Sequence, residues 1–100
     1  MPRPVRLNLS GIPQHITQRG NNRQACFFTA CDYQLYLGLL HAACQLHCCQ
    51  LHAFVLMTNH VHLLLTPDAP GALSRVISDV GRDYVRTINK AFRRGLVLAA

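Results

Sequence analysis

The stretch Leu56-Met57-Thr58-Asn59-His60-Val61-His62-Leu63-Leu64-Leu65 reads as two apolar runs joined at Thr58-Asn59. Asn tolerates left-handed backbone conformations, so the pair suits a tight hairpin turn. In the second run, His60 and His62 are separated by one residue. Alternate residues of a strand share a face, so both imidazoles project on one side, about 7 Å apart along the chain. Val61, Leu63 and Leu65 then point to the other side. Such a strand has a core face and a working face. Two neutral imidazoles at adjacent same-face positions can share one divalent metal ion. His-x-His also occurs on strands that merely face water, so the pair has to be read in context.

The context begins with composition. One hundred residues make one domain, with residues 1–11 as a Pro- and Arg-bearing arm and 12–100 as the folded unit. Half the residues are apolar, which excludes a disordered chain. No apolar run approaches the ~20 residues that span a bilayer, and no signal peptide opens the sequence. Ten Lys and Arg stand against four acids, all Asp, for a net charge of +6. That excess favours a polyanionic partner, nucleic acid above all. Cys26, Cys31, Cys44, Cys48 and Cys49 show no paired C-x-x-C spacing. Free thiols in a reducing cytoplasm are the expectation. His41, Cys44, Cys48 and His52 have the residue types of a zinc site, but Cys is commonly just a small buried residue.

Upstream, Val5–Leu9 suits a short strand and Ile12–Arg19 alternates as a longer one. His15, Thr17 and Arg19 share one of its faces, and Gln14, Ile16 and Gln18 the other. Gly20-Asn21-Asn22-Arg23 is a turn whose N–H groups and Arg side chains suit a phosphate. Thr29 and Asp32 have the spacing of a capping box. The helix they open runs to about His47, with Leu35, Tyr36, Leu39, Leu40, Ala43 and Leu46 as its apolar stripe and Tyr33 half-exposed. Cys49–Met57 and His60–Thr66 are the next two strands, and Pro67, Pro70 and Gly71 mark a loop. A second helix begins at Leu73 or Ser74. It buries Leu73, Val76 or Ile77, Val80, Tyr84, Ile88 and Phe92. Its exposed side carries Arg75, Arg82, Arg86, Lys90, Arg93 and Arg94, with Asp79 and Asp83 in pairing distance along the helix. Gly95 is a natural stop. Leu96–Ala100 is short and apolar, and suits the stub of a fourth strand without establishing one.

The order strand, helix, strand, strand, helix is an α+β pattern, the split βαβ or ferredoxin-like arrangement. Both helices cover one face of an antiparallel sheet. The first and third strands lie together at its centre, which sets His15, Thr17 and Arg19 beside His60 and His62 on the open face.

Three segments carry a resemblance: Pro4-Val5-Arg6-Leu7, the run Gly11–Asn21 containing His15-Ile16-Thr17-Gln18-Arg19-Gly20, and Leu56–Leu64. Together with Leu73-Ser74-Arg75 and Tyr84–Asn89, they resemble the single-tyrosine HUH transposases, an insertion-sequence type, and within them the REP-associated tyrosine transposases. The resemblance covers most of residues 3–95. It implies cleavage and rejoining of single-stranded DNA at hairpin-bearing ends. The two histidines, here His60 and His62, would hold Mg²⁺ or Mn²⁺ to polarise the scissile phosphate, and a tyrosine would form a covalent 5′-phosphotyrosine link. His15, Arg19, Asn21 and Arg23 are the candidate DNA contacts.

In that family the nucleophilic tyrosine lies on a further helix beyond the fourth strand. Ala100 precedes any such helix, so the chain resembles a C-terminally truncated member without its own nucleophile. Some relatives exchange that helix between subunits, which allows a homodimer, still without the tyrosine. Two other functions compete: a non-catalytic nucleic-acid-binding ferredoxin-like module, and a small metal- or ligand-binding protein. The first stacks bases on exposed aromatics, which the open face does not offer as a clear pair. The basic second helix and the Arg-Gly-Asn-Asn-Arg turn speak against the second.

Overall fold

Strand β1 (Gln14–Gly20) pairs antiparallel with β3 (His60–Pro67) from Gln14 opposite Leu65 to Arg19 opposite His60. Strand β2 (Cys49–Met57) pairs with the other edge of β3 through the Thr58-Asn59 turn. The two-residue β4 (Leu98–Ala99) adds to β1, giving the order β2-β3-β1-β4. All pairs are antiparallel. With α1 (Ala30–His47) between β1 and β2 and α2 (Ala72–Phe92) after β3, this is the α+β, ferredoxin-like order. The structure is a computed structural model that describes residues 10–20, 24–92 and 95–99. The Val5–Leu9 segment, Asn21 to Arg23, Arg93 and Arg94 lie outside the described residues, as does the side chain of Phe92.

The alternation of β1 and β3 makes the sheet one-sided. Val61, Leu63 and Leu65 are at most 1% exposed, and Gln14 and Gln18 are buried on the same side. From α2, Leu73, Val76, Ile77, Val80, Tyr84 and Ile88 fill the space above them, and α1 adds Tyr36, Leu40, Ala43 and Cys44. Each such aliphatic side chain contributes about 2 kcal/mol by leaving water. Gln18 has a reason to be inside: it accepts a hydrogen bond from the Tyr36 hydroxyl and donates one to the Ile77 carbonyl. Leu46, expected on the buried stripe of α1, is 72% exposed. The buried row shifts to Cys44 because α1 is turned so that its last turn offers Cys44 and His47 to its neighbours.

Local chemistry sets the helix ends. At α1, Thr29 Oγ1 accepts from the Asp32 N–H, and Asp32 Oδ2 accepts from the N–H of Phe28 at 2.7 Å and of Thr29 at 3.1 Å. That reciprocal box satisfies donors that would otherwise be unpaired at the first turn. At the far end Cys48 takes a left-handed φ of 60° and donates its N–H to the Cys44 carbonyl, so β2 starts one residue later. Strand β1 begins at Gln14 rather than Ile12. Strand β3 runs one residue past Thr66, and α2 starts at Ala72.

Candidate functional site

The site is built by register. Thr17 faces His62 and Arg19 faces His60 across the β1–β3 pair, and directly opposed residues share a face. The open face therefore carries His15, Thr17 and Arg19 from one strand beside His60 and His62 from the other. His15 Nε2 lies 3.1 Å from His62 Nδ1, and Thr17 Oγ1 lies 3.2 Å from the same atom. The His15 and His62 rings stack with centroids 5.1 Å apart. The His60 and His62 rings meet edge to face at 4.8 Å. His60 Nδ1 lies 2.7 Å from Asn59 Oδ1. Partial desolvation, then the neighbouring His60, His15 and Arg19, lower the His62 imidazole below its ordinary range, which favours its neutral form.

Arg19 is exposed, and among the described residues it is the one Lys or Arg on the sheet; Arg75, Arg82, Arg86 and Lys90 all lie on α2. A cleft of about 260 Å³ opens beside it, lined by Arg19, Gly20, Asn59 and His60. At about 30 Å³ per water, that volume exceeds the space of several water molecules. Gly20 shapes the cleft. A Cβ there would stand 2.0 Å from the Gln24 carbonyl oxygen, so only glycine lets the chain fold back this tightly.

The places of two residues, Asn59 and His52, were hidden in the sequence. Asn59 reads as a backbone residue of the turn, yet Cys48 is the only non-glycine residue with positive φ among those described. The two-residue turn at Thr58-Asn59 forms, with a positive φ at neither residue. His52 is brought onto the open face by a register shift between Leu51 and Ala53, where its Nε2 lies 2.7 Å from Thr66 Oγ1. A bulge of this kind leaves no mark in simple alternation. The zinc-type set of His41, Cys44, Cys48 and His52 does not assemble. Among the described residues no group of three or more His, Cys, Asp or Glu side chains is arranged to hold a metal. The face offers an imidazole pair, with His15 behind His62. Asn21 and Arg23 lie outside the described residues.

All three tyrosines are on the helix-covered side. Tyr84 and Tyr36 are fully buried, and their rings meet edge to face at 5.4 Å. Tyr84 donates its hydroxyl to the Cys26 carbonyl at 2.6 Å. Burial, then the nearby Cys26 and Cys44 thiols, pushes the Tyr36 hydroxyl well above its ordinary range. Tyr33 is half-buried and stacks on Phe27 at 4.3 Å.

A search of curated proteins finds no match. The family model described as "Transposase IS200 like" matches residues 8–96, a span that takes in the whole of the β1–β3 site and both helices. The chain belongs to the family of IS200-like transposases.

Proposed function

We propose that the open sheet face holds single-stranded DNA with hairpin ends for metal-dependent strand cleavage and rejoining. The observation that carries this reading is the β1–β3 register, which puts Arg19 opposite His60 and Thr17 opposite His62. Arg19 makes no ion pair among the described residues, and it lines the cleft with His60, where a guanidinium suits a phosphate. His60 and His62 would hold Mg²⁺ or Mn²⁺, and the donor set fits: two neutral nitrogens leave the remaining positions to water and phosphate oxygen. Both ions prefer oxygen ligands, so affinity without DNA is weak. A divalent ion there supplies a Lewis acid to the phosphate.

The attacking hydroxyl does not come from Tyr33, Tyr36 or Tyr84. Each lies across the sheet from the histidines, and in-line attack needs reacting atoms about 3–3.5 Å apart. A binding module without chemistry finds less support. Strand β2 turns Val55 and Met57 toward the open face beside His62 and His60, where base stacking asks for aromatics. Free thiols at all five cysteines suit a reducing, cytoplasmic setting.

Anisotropy titration of a labelled hairpin oligonucleotide tests this, with and without Mn²⁺. Mn²⁺ should tighten binding, and the His60→Ala, His62→Ala double change should abolish that gain. No covalent adduct should survive denaturing electrophoresis. Binding indifferent to both the metal and the double change contradicts the site, and an adduct lost in Tyr84→Phe contradicts the exclusion of the core tyrosines.

A further inference from the structure

The turn that joins β2 to β3 contains an asparagine whose usual purpose is missing. Asn is favoured in two-residue hairpin turns because it accepts positive φ, and Asn59 does not have one. The backbone of the turn is held by other means. The Gly20 N–H donates to the Asn59 carbonyl at 3.0 Å, and the Cys26 N–H donates to the Thr58 carbonyl at 2.7 Å. Phe27 donates to the same Thr58 oxygen. The turn is thus a fixed platform, tied to β1 on one side and to the segment under Tyr84 on the other.

From that platform the Asn59 side chain turns to its neighbour, with Oδ1 at 2.7 Å from His60 Nδ1. An amide oxygen only accepts, so the proton of this bond sits on His60 Nδ1. In a neutral imidazole the lone pair is then on Nε2. His62 Nδ1 lies within hydrogen-bond distance of Thr17 Oγ1 and His15 Nε2, groups that can each donate or accept. Each ring is thus engaged at its Nδ1.

We propose that Asn59 is a positioning residue that fixes the tautomer and ring plane of His60 so that Nε2 faces the divalent ion. The inference rests on the metal reading of the histidine pair. An outer hydrogen-bond acceptor on a ligating imidazole raises its basicity and removes rotational freedom. Loss of such a partner costs about 10- to 100-fold in metal affinity.

The test uses the full chain with Mn²⁺ alone as probe, and compares wild type, Asn59→Ala, Asn59→Asp and His60→Ala. Mn²⁺ affinity is read by electron paramagnetic resonance. Long-range ¹H–¹⁵N spectra of the imidazoles, without metal and above their titration range, read the tautomer. Wild type should show a protonated Nδ1 at His60. Asn59→Ala should mix the two tautomers at His60 while leaving His62 unchanged, and should weaken Mn²⁺ binding about 10- to 100-fold. Asn59→Asp keeps an acceptor and should restore both readouts. A wild-type His60 protonated at Nε2, or an Asn59→Ala protein with unchanged affinity while His60→Ala loses it, overturns the inference and leaves the metal pair standing. Mn²⁺ binding equal in wild type and His60→Ala overturns the metal reading, and the role of Asn59 with it.

Discussion

Arg19 stands opposite His60 at the mouth of the cleft, with no acidic side chain paired to it among the described ion pairs. Its guanidinium is available to phosphate. Arg86, by contrast, bonds Asp83 at 2.9 Å on the far side of the molecule. Arg19→Ala should weaken binding of a hairpin oligonucleotide about tenfold, the weight of one charge-assisted contact. It should also reduce the salt dependence of log Kd by about one counterion. Arg86→Ala should change neither. Titrations at several salt concentrations check this, and equal effects of the two changes would remove Arg19 from the interface. At this scale the sequence was partly legible. Strand alternation has a period of two, so His60, His62, His15, Thr17 and Arg19 could be assigned to one face from spacing alone. Asn59 could not, because a turn asparagine has a sufficient backbone explanation and nothing in the spacing shows where its amide points.

The elements were legible where local chemistry decides them. Thr29 and Asp32 marked the start of α1, and the capping box is present with both its bonds. The paired apolar rows of α2 were readable as a buried stripe. Contacts between elements were not. His47 at the end of α1 donates to Asp79 of α2 at 2.6 Å, a bond joining residues 32 positions apart, and helical periodicity contains no sign of it. That bond makes a pH prediction. The His47 hydrogen bond lowers the Asp79 carboxyl below its ordinary 3.8, partial desolvation opposes the shift, and Arg82 adds to it. A carboxyl depressed in the folded state stabilises above its unfolded value, and that contribution is lost as pH falls through the folded value. Asp79→Asn should therefore cost under about 1 kcal/mol at neutral pH, since the carboxylate is partly exposed. The difference should shrink toward nothing as the pH drops below 3.8. Urea unfolding of both proteins across that range is the check, and a difference that grows in acid would reverse the assignment.

In the whole molecule, the sheet separates two surfaces of different chemistry. The covered side holds the aromatic cluster of Phe27, Tyr36 and Tyr84, which packs the helices to the sheet. The open side holds four of the six histidines and Arg19. The order of elements made this division readable in advance, because a split βαβ topology leaves one face bare. The exposed apolar groups on that face, Val55, Met57 and Leu64, are a boundary of the site that composition could not locate. Placement of the DNA on the open face is the claim on which the rest depends. It is tested most directly by titrating a hairpin-ended single-stranded oligonucleotide into ¹⁵N-labelled protein and following the backbone and imidazole resonances. Shifts should concentrate on Thr17, Arg19, His60 and His62 and leave Arg82, Arg86 and Lys90 of α2 unmoved. Shifts confined to α2, with β1 and β3 silent, would put the DNA on the helical side and contradict the site.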